Sequence, residues 1–199
     1  MKKILHIISS PRDAESDSTK LGTHIVEKLL KRYPGTTVEV NNVADKDYSH
    51  LTAVHLAGYF LPTESKTQEH LDVLRPSDAA VQELIDADII IISLPMYNFN
   101  VPSALKAWID HIVRRGMTFS YETGKPEGLL KNKKVYLAIA SSGVYSDGPM
   151  KPFDFSEPYL RFILAFIGLN DITTFRVEGT AIPGVKETAM QKGLDSVAV

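Results

Sequence analysis

The chain has 199 residues, 22 Lys+Arg against 24 Asp+Glu, 44% hydrophobic residues and no cysteine, for a net charge of −2. At this length one core buries roughly 70% of the unfolded chain's surface without disulfides or a structural metal, so a single domain over residues 1–199 is expected. The near-neutral balance offers no footprint for nucleic acid or a polybasic membrane anchor, and the absence of cysteine excludes thiol nucleophiles, Cys-ligated zinc and iron–sulfur clusters. Any redox function must therefore use an organic cofactor.

No apolar run approaches the roughly 18 residues of a membrane span. The one after Met1-Lys2-Lys3 is broken at His6 and ends at Ser9-Ser10, too short for a signal peptide. A cytoplasmic protein is expected, with no membrane or nucleic-acid partner.

In chain order, short apolar runs alternate with longer amphipathic stretches, the pattern of a parallel sheet covered by helices. Strands are expected at Lys3 to Ile8, Thr37 to Asn42, Asp88 to Leu94, Lys134 to Ala140 and Ile172 to Val177. The third contains Ile89-Ile90-Ile91-Ile92, which leaves no solvated face and puts it mid-sheet.

A helix starts at Ser18 or Thr19, places Leu21, Ile25 and Leu29 on one stripe and stops before Pro34-Gly35. Others begin near Pro76-Ser77-Asp78 and at Pro102, the latter with Leu105, Trp108, Ile109 and Ile112 at helical spacing. Glu157 to Ile167 forms a helix ended by Gly168, and Lys186 to Val197 closes the chain. Asp45 to Arg75 is an insertion with only weak helical patterning, and Gly116 to Leu130 reads as a β-hairpin arm.

Five strands joined by right-handed crossovers give a three-layer, doubly wound α/β sheet in the order 2-1-3-4-5, whose direction reverses between the first and third strands. Chemistry is expected in the loops that leave the first, third and fourth strands. The first, Ser9 to Ser18, runs straight into a helix and carries hydroxyls at Ser9, Ser10, Ser16 and Ser18. Hydroxyls and free amides at a helix N-terminus suit a phosphomonoester; the alternative is that Ser16 or Ser18 only caps the helix. The loop contains neither GxxxxGK[ST] nor GxGxxG.

The third-strand loop, Pro95-Met96-Tyr97-Asn98-Phe99-Asn100-Val101-Pro102, offers aromatic surface and amide groups to a flat heteroaromatic ring. The fourth-strand loop, Ser141-Ser142-Gly143-Val144, has small residues that let a ligand approach backbone. Six histidines form neither HExxH nor an i, i+4 pair, so no metal is expected, and GxSxG is absent.

Together with the Phe119 to Gly128 arm, Asp147-Gly148-Pro149 and Phe166-Ile167-Gly168, these loops resemble the FMN-dependent NADH-azoreductases over nearly the whole chain. The resemblance implies a flavodoxin-like fold, one noncovalent FMN per subunit, a homodimer, and two-electron reduction of quinones and azo compounds by NADH or NADPH in a ping-pong sequence. By that resemblance Ser10, Ser16, Asp17 and Ser18 hold the phosphate, with Asp17 acting through its backbone. Pro95, Met96, Tyr97, Asn98 and Phe99 line the isoalloxazine edge, and Ser141, Ser142 and Gly143 the pyrimidine side.

Family members often carry Ser-Arg-Gly-Gly where this chain has Ser141-Ser142-Gly143-Val144, so substrate preference does not transfer. Tyr121 and Phe166 are expected to shape a substrate pocket shared between two subunits. The segment Tyr159 to Ile167 points the same way, since a helix apolar all round needs a second buried surface; the alternative is that the Asp45 to Arg75 insertion or the arm covers it within the monomer. No catalytic side chain is assigned, since the chemistry would be the flavin's. The competing reading is a flavodoxin-like carrier of single electrons to a protein partner, which usually needs a stronger acidic field than −2 provides.

Overall fold

In the computed structural model, which describes residues 1–199, the strands β1 (Lys3–Ile8), β2 (Thr37–Asn42), β3 (Ile89–Pro95), β6 (Lys134–Ala140) and β7 (Asp171–Val177) form one parallel sheet in the order β2-β1-β3-β6-β7. This is the expected three-layer flavodoxin-like arrangement. Its strands alternate between two cores, as a two-faced sheet requires. Ile89, Ile91, Tyr136 and Ala138 pack under α1 (Asp17–Arg32) and α6 (Lys186–Asp195). Ile90, Ile92, Leu137 and Ile139 face the larger core built by α3 (Gln68–Asp86), α4 (Ser103–Ile112) and α5 (Ser156–Phe166).

Two elements depart from the sequence reading. The helix expected from Pro76 begins at Gln68 and carries Pro76 inside it. Thr67 and His70 close its first turn reciprocally: the His70 amide donates to Thr67 Oγ1, and the Thr67 amide to His70 Nδ1 at 3.1 Å. The amide missing at Pro76 costs one helical bond, which that cap and the burial of Leu74 offset.

The insertion holds a second helix, α2 (Ala53–Phe60), docked on α3, with His55 edge-on to His111 of α4 at 5.3 Å between ring centroids. Arg114 stacks 4.0 Å from the centre of the Tyr59 ring and donates to Ser77 and Asp78, while His111 Nε2 lies 2.8 Å from the Ser49 carbonyl.

The arm is present as β4 (Phe119–Ser120) paired antiparallel with β5 (Glu127–Gly128). The α5 helix ends in a Schellman motif, with Gly168 at φ 102°, its amide on the Ala165 carbonyl and that of Leu169 on Leu164.

Ladder bonds continue past the strand ends into the loops. Ser9 donates to the Ser93 carbonyl at 3.1 Å, Met96 to Ala140 at 2.8 Å and Ser141 to Val177 at 2.9 Å. The three loops are thereby fixed side by side along the sheet's carboxyl edge, at the crevice where strand order reverses.

Candidate active site

The loop after β1 turns through a single 3-10 turn, Asp13–Glu15, and enters α1 with Ser16 at the N-cap. Ser10, Ser16 and Ser18 are buried, whereas Asp13 and Glu15 are exposed and Asp17 is half-buried, so the flanking acidic side chains lie outward of the hydroxyls. The capping alternative fails here: the Ser16 side chain makes no cap bond to the helix. Its Oγ lies instead 3.0 Å from Ser18 Oγ, and the Thr19 hydroxyl beside them is buried with no hydrogen-bond partner. A sixteen-residue helix thus starts with uncapped amides and concealed hydroxyls, an arrangement that favours an anion.

In the loop after β3, Tyr97 and Asn100 exchange both backbone bonds, at 3.0 and 2.9 Å, around a two-residue turn. Both turn residues are left-handed, Asn98 at φ 49° and Phe99 at φ 66°. For Phe this is a strained conformation, of the kind concentrated at ligand clamps. The surroundings over-determine it: the Phe155 amide donates to the Phe99 carbonyl at 3.1 Å, and the Phe99 ring packs against Tyr145 and Phe153 at 6.1 and 6.2 Å between centroids. Tyr97 and Phe99 remain about 40% exposed, so the turn presents aromatic surface outward.

Past β6, Ser141 Oγ donates to the Gly143 carbonyl at 2.9 Å, and the Gly179 and Ala181 amides bond the carbonyls of Gly143 and Ser142. A Cβ on Gly143 would stand 3.0 Å from the Tyr145 ring, so only glycine leaves that ring where it meets Phe99. A cleft of about 370 Å³ beside this loop is walled by Val144, Tyr145, Met150 and Ile182, with Asp147 its one charged lining residue. A second, of about 470 Å³, lies against Tyr97, Asn98, Lys106 and Tyr159. A larger concavity, about 850 Å³, is at the opposite sheet edge, where Lys2, Lys131 and Lys134 are each paired with an acid.

The structure therefore brings together the residues expected from all three loops. Within one chain it does not bring Tyr121 and Phe166 to them. Phe166 ends α5 at the far edge of the sheet, against Phe119 of the arm at 4.7 Å, and Tyr121 packs on Phe119 at 5.6 Å. Sequence reasoning missed Tyr145, Phe153 and Phe155, which hold the Phe99 turn. The only hint of them is the spacing of aromatic residues across Phe153-Asp154-Phe155.

A family model described as the flavodoxin-like fold matches residues 2–198. A protein of Herminiimonas arsenicoxydans named FMN-dependent NADH:quinone oxidoreductase is 44% identical over 182 residues, covering 92% of this chain and 89% of that one. The chain belongs to the flavodoxin-like FMN-dependent NADH:quinone oxidoreductase family. Another member, from Beijerinckia indica, is 40% identical and covers 100% of this chain and 98% of its own. Among solved structures, an FMN-dependent NADH-azoreductase from Bacillus anthracis in complex with FMN matches with a TM-score of 0.85 at 27% identity, over 98% of this chain and 95% of that one. No helix of this chain is long and apolar enough to cross a membrane.

Proposed function

We propose that this chain binds one FMN noncovalently at the carboxyl edge of its sheet and, as a homodimer, passes two electrons from NADH to quinones and azo compounds in a ping-pong sequence. The observation that carries the reading is the buried Ser16–Ser18 hydroxyl pair with the unpartnered Thr19 hydroxyl, at the open N-terminus of α1. Within the protein the two serine hydroxyls bond only each other and the Thr19 hydroxyl bonds nothing, and such donors suit an ionised phosphate, to which each hydrogen bond contributes roughly 1.5–3 kcal/mol.

The residues present fit the rest of the cofactor. The amides of Asn98 and Phe99 take no part in the hydrogen bonds that close their turn, and the Ser141–Gly143 backbone lies across the crevice from them. Donors at a ring's pyrimidine edge favour its reduced, more negative form. FMN, when bound, supplies the hydride acceptance and electron donation; the chain orients the ring and leaves one face to a flat donor or acceptor.

The dimer reading is supported by the outer face of α5. The arm covers Phe166, and the insertion packs on α3 and on His111 of α4, so neither shields the outer stripe of Phe155 and Phe162, while Tyr159 between them is half-buried against the core. Phe162 is 71% exposed and Phe155 54%, an apolar face that a second subunit would bury. That stripe runs from Phe155, bonded to the Phe99 turn, toward Phe166, so a partner seated on it can bring its own Tyr121 or Phe166 region to the flavin loops.

Gently purified protein is expected to be yellow with one FMN per chain, to bleach with NADH and to recolour with a quinone. Initial-rate plots at several quinone concentrations are expected to be parallel, and intersecting lines overturn the ping-pong order. Colourless protein that takes up no added FMN overturns the whole reading.

A further inference from the structure

At the carboxyl end of β7 one guanidinium is shared among three carboxylates. Arg176 alternates with Phe175 and Val177, which belong to the core under α1 and α6, so its side chain faces α5. There Nη2 donates to Asp154 Oδ2 at 2.5 Å and to Glu157 Oε2, and Nη1 reaches Glu178 Oε1 at 3.4 Å. Arg161 and Thr174 complete the cluster through Glu157. The side chains of Arg176, Asp154 and Glu178 are only 11%, 6% and 12% exposed. Burial opposes ionisation of Glu157, yet hydrogen bonds from Thr174, Arg176 and Arg161 hold its carboxyl below the usual range.

A buried ion cluster of this kind gives little net stability against an apolar core of the same shape. What it does here is tie together, by side chains, two segments that are otherwise joined only through the intervening 148–153 turn and their shared contacts with Phe99. Asp154 Oδ1 accepts from the amides of Ser156 and Glu157, at 2.9 and 3.1 Å, and so fixes the first turn of α5 and the Phe153–Phe155 segment. Glu178 Oε1 accepts from the amides of Tyr145 and Ser146, at 2.8 and 2.9 Å, and Oε2 from the Ser146 hydroxyl. Both segments end on Phe99: Tyr145 against its ring, Phe153 against its ring, and the Phe155 amide on its carbonyl.

We propose that Arg176 is a positioning residue for the cofactor site, setting the distance between the Gly143–Ser146 loop and the Phe153–Ser156 segment and so holding the strained Asn98–Phe99 turn between them. Its consequence for FMN rests on the reading above; the mechanical part does not. The guanidinium touches neither the turn nor the crevice and acts through Asp154 and Glu178.

The test is Arg176→Met in the full chain, read first by amide hydrogen exchange on FMN-free protein. Exchange is expected to rise about tenfold or more together at Tyr145, Ser146, Ser156 and Glu157. FMN titration is expected to show binding weakened about tenfold, the scale of one charge-assisted hydrogen bond, with partial recovery in Arg176→Lys. A lowered Tm with wild-type exchange at those amides and wild-type FMN affinity overturns the proposal, as does loosening at only one of the two segments. Should Arg176→Met fail to fold, the charge-balanced Arg176→Gln/Asp154→Asn variant is expected to loosen Tyr145 and Ser146, and wild-type exchange there overturns the proposal. The exchange result decides the positioning role whether or not wild-type protein takes up FMN; failure of wild-type protein to do so overturns the flavin reading instead.

Discussion

His6 Nε2 and Ser93 Oγ lie 2.8 Å apart on neighbouring strands, sealed beneath Gly22 of α1. A Cβ at Gly22 would stand 1.9 Å from Ser93 Oγ and 2.6 Å from His6 Nε2, so the helix that presents Ser16 and Ser18 reaches the sheet only because this residue has no side chain. Burial pushes the His6 imidazole down to about 4, and it is neutral in the fold at neutral pH.

A histidine depressed in the fold gives stability that is complete above its unfolded pKa, near 6.5, and that disappears as pH falls toward the folded value. Between pH 7 and pH 4.5 this one group is expected to cost about 2.5 kcal/mol. Urea unfolding of wild type and His6→Gln at both pH values checks it: the acid-induced loss should be smaller in the variant by about that amount, and equal losses refute the assignment.

Replacing both buried hydroxyls, Ser16→Ala with Ser18→Ala, removes groups that bond only each other in the protein. The free chain should unfold at nearly its usual denaturant concentration. FMN affinity should fall by roughly 1.5–3 kcal/mol for each hydroxyl that contacts the phosphate. Fluorescence titration measures it, and unchanged affinity moves the phosphate to another loop.

Asn98→Gly separates strain from chemistry. Glycine adopts φ 49° freely, so the fold should keep or gain about 1 kcal/mol of stability while the side chain is lost. Turnover with NADH and a quinone is expected to drop. A variant as stable and as fast as wild type takes the Asn98 side chain out of the site.

Phe162→Glu puts a charge on the exposed α5 stripe without touching either core. If that stripe forms an obligate interface, typically above about 2,000 Å², light scattering at low micromolar protein should show wild-type dimer and variant monomer. Loss of bound FMN or of turnover should accompany dissociation, and a fully active monomer refutes the shared site. A variant that stays dimeric places the interface elsewhere.

Much of this was legible in the sequence because buried parallel strands write themselves as unbroken apolar runs. Ile89-Ile90-Ile91-Ile92 allowed only a central strand, and with β3 placed, strand order and the crevice followed. The α2–α3 region resisted for two reasons. Histidines at 55 and 70 sit at the third position of their helices, where Glu or Gln is the usual signal, and Pro76 looks like a start although it lies within a helix. The Arg176 cluster had no signature, since a polar residue at alternate spacing on an edge strand reads as solvent-facing. Only tertiary packing turns Arg176 inward, toward carboxylates lying as much as 22 positions away.

At the root of the arm, a Cβ on Gly128 would fall 2.1 Å from the Gly168 amide nitrogen, and one on Gly168 would fall 2.8 Å from the Leu130 carbonyl. Backbone lies on backbone there, so the hairpin and the end of α5 are keyed together like a tenon in its mortise, with no room for either to grow. The tip is the reverse: Gly124, at φ 80°, has nothing within 4 Å of where its Cβ would be. Inserted residues, a fluorophore or an affinity handle therefore belong between Glu122 and Lys125, where they can ride on the arm without prising it from the helix.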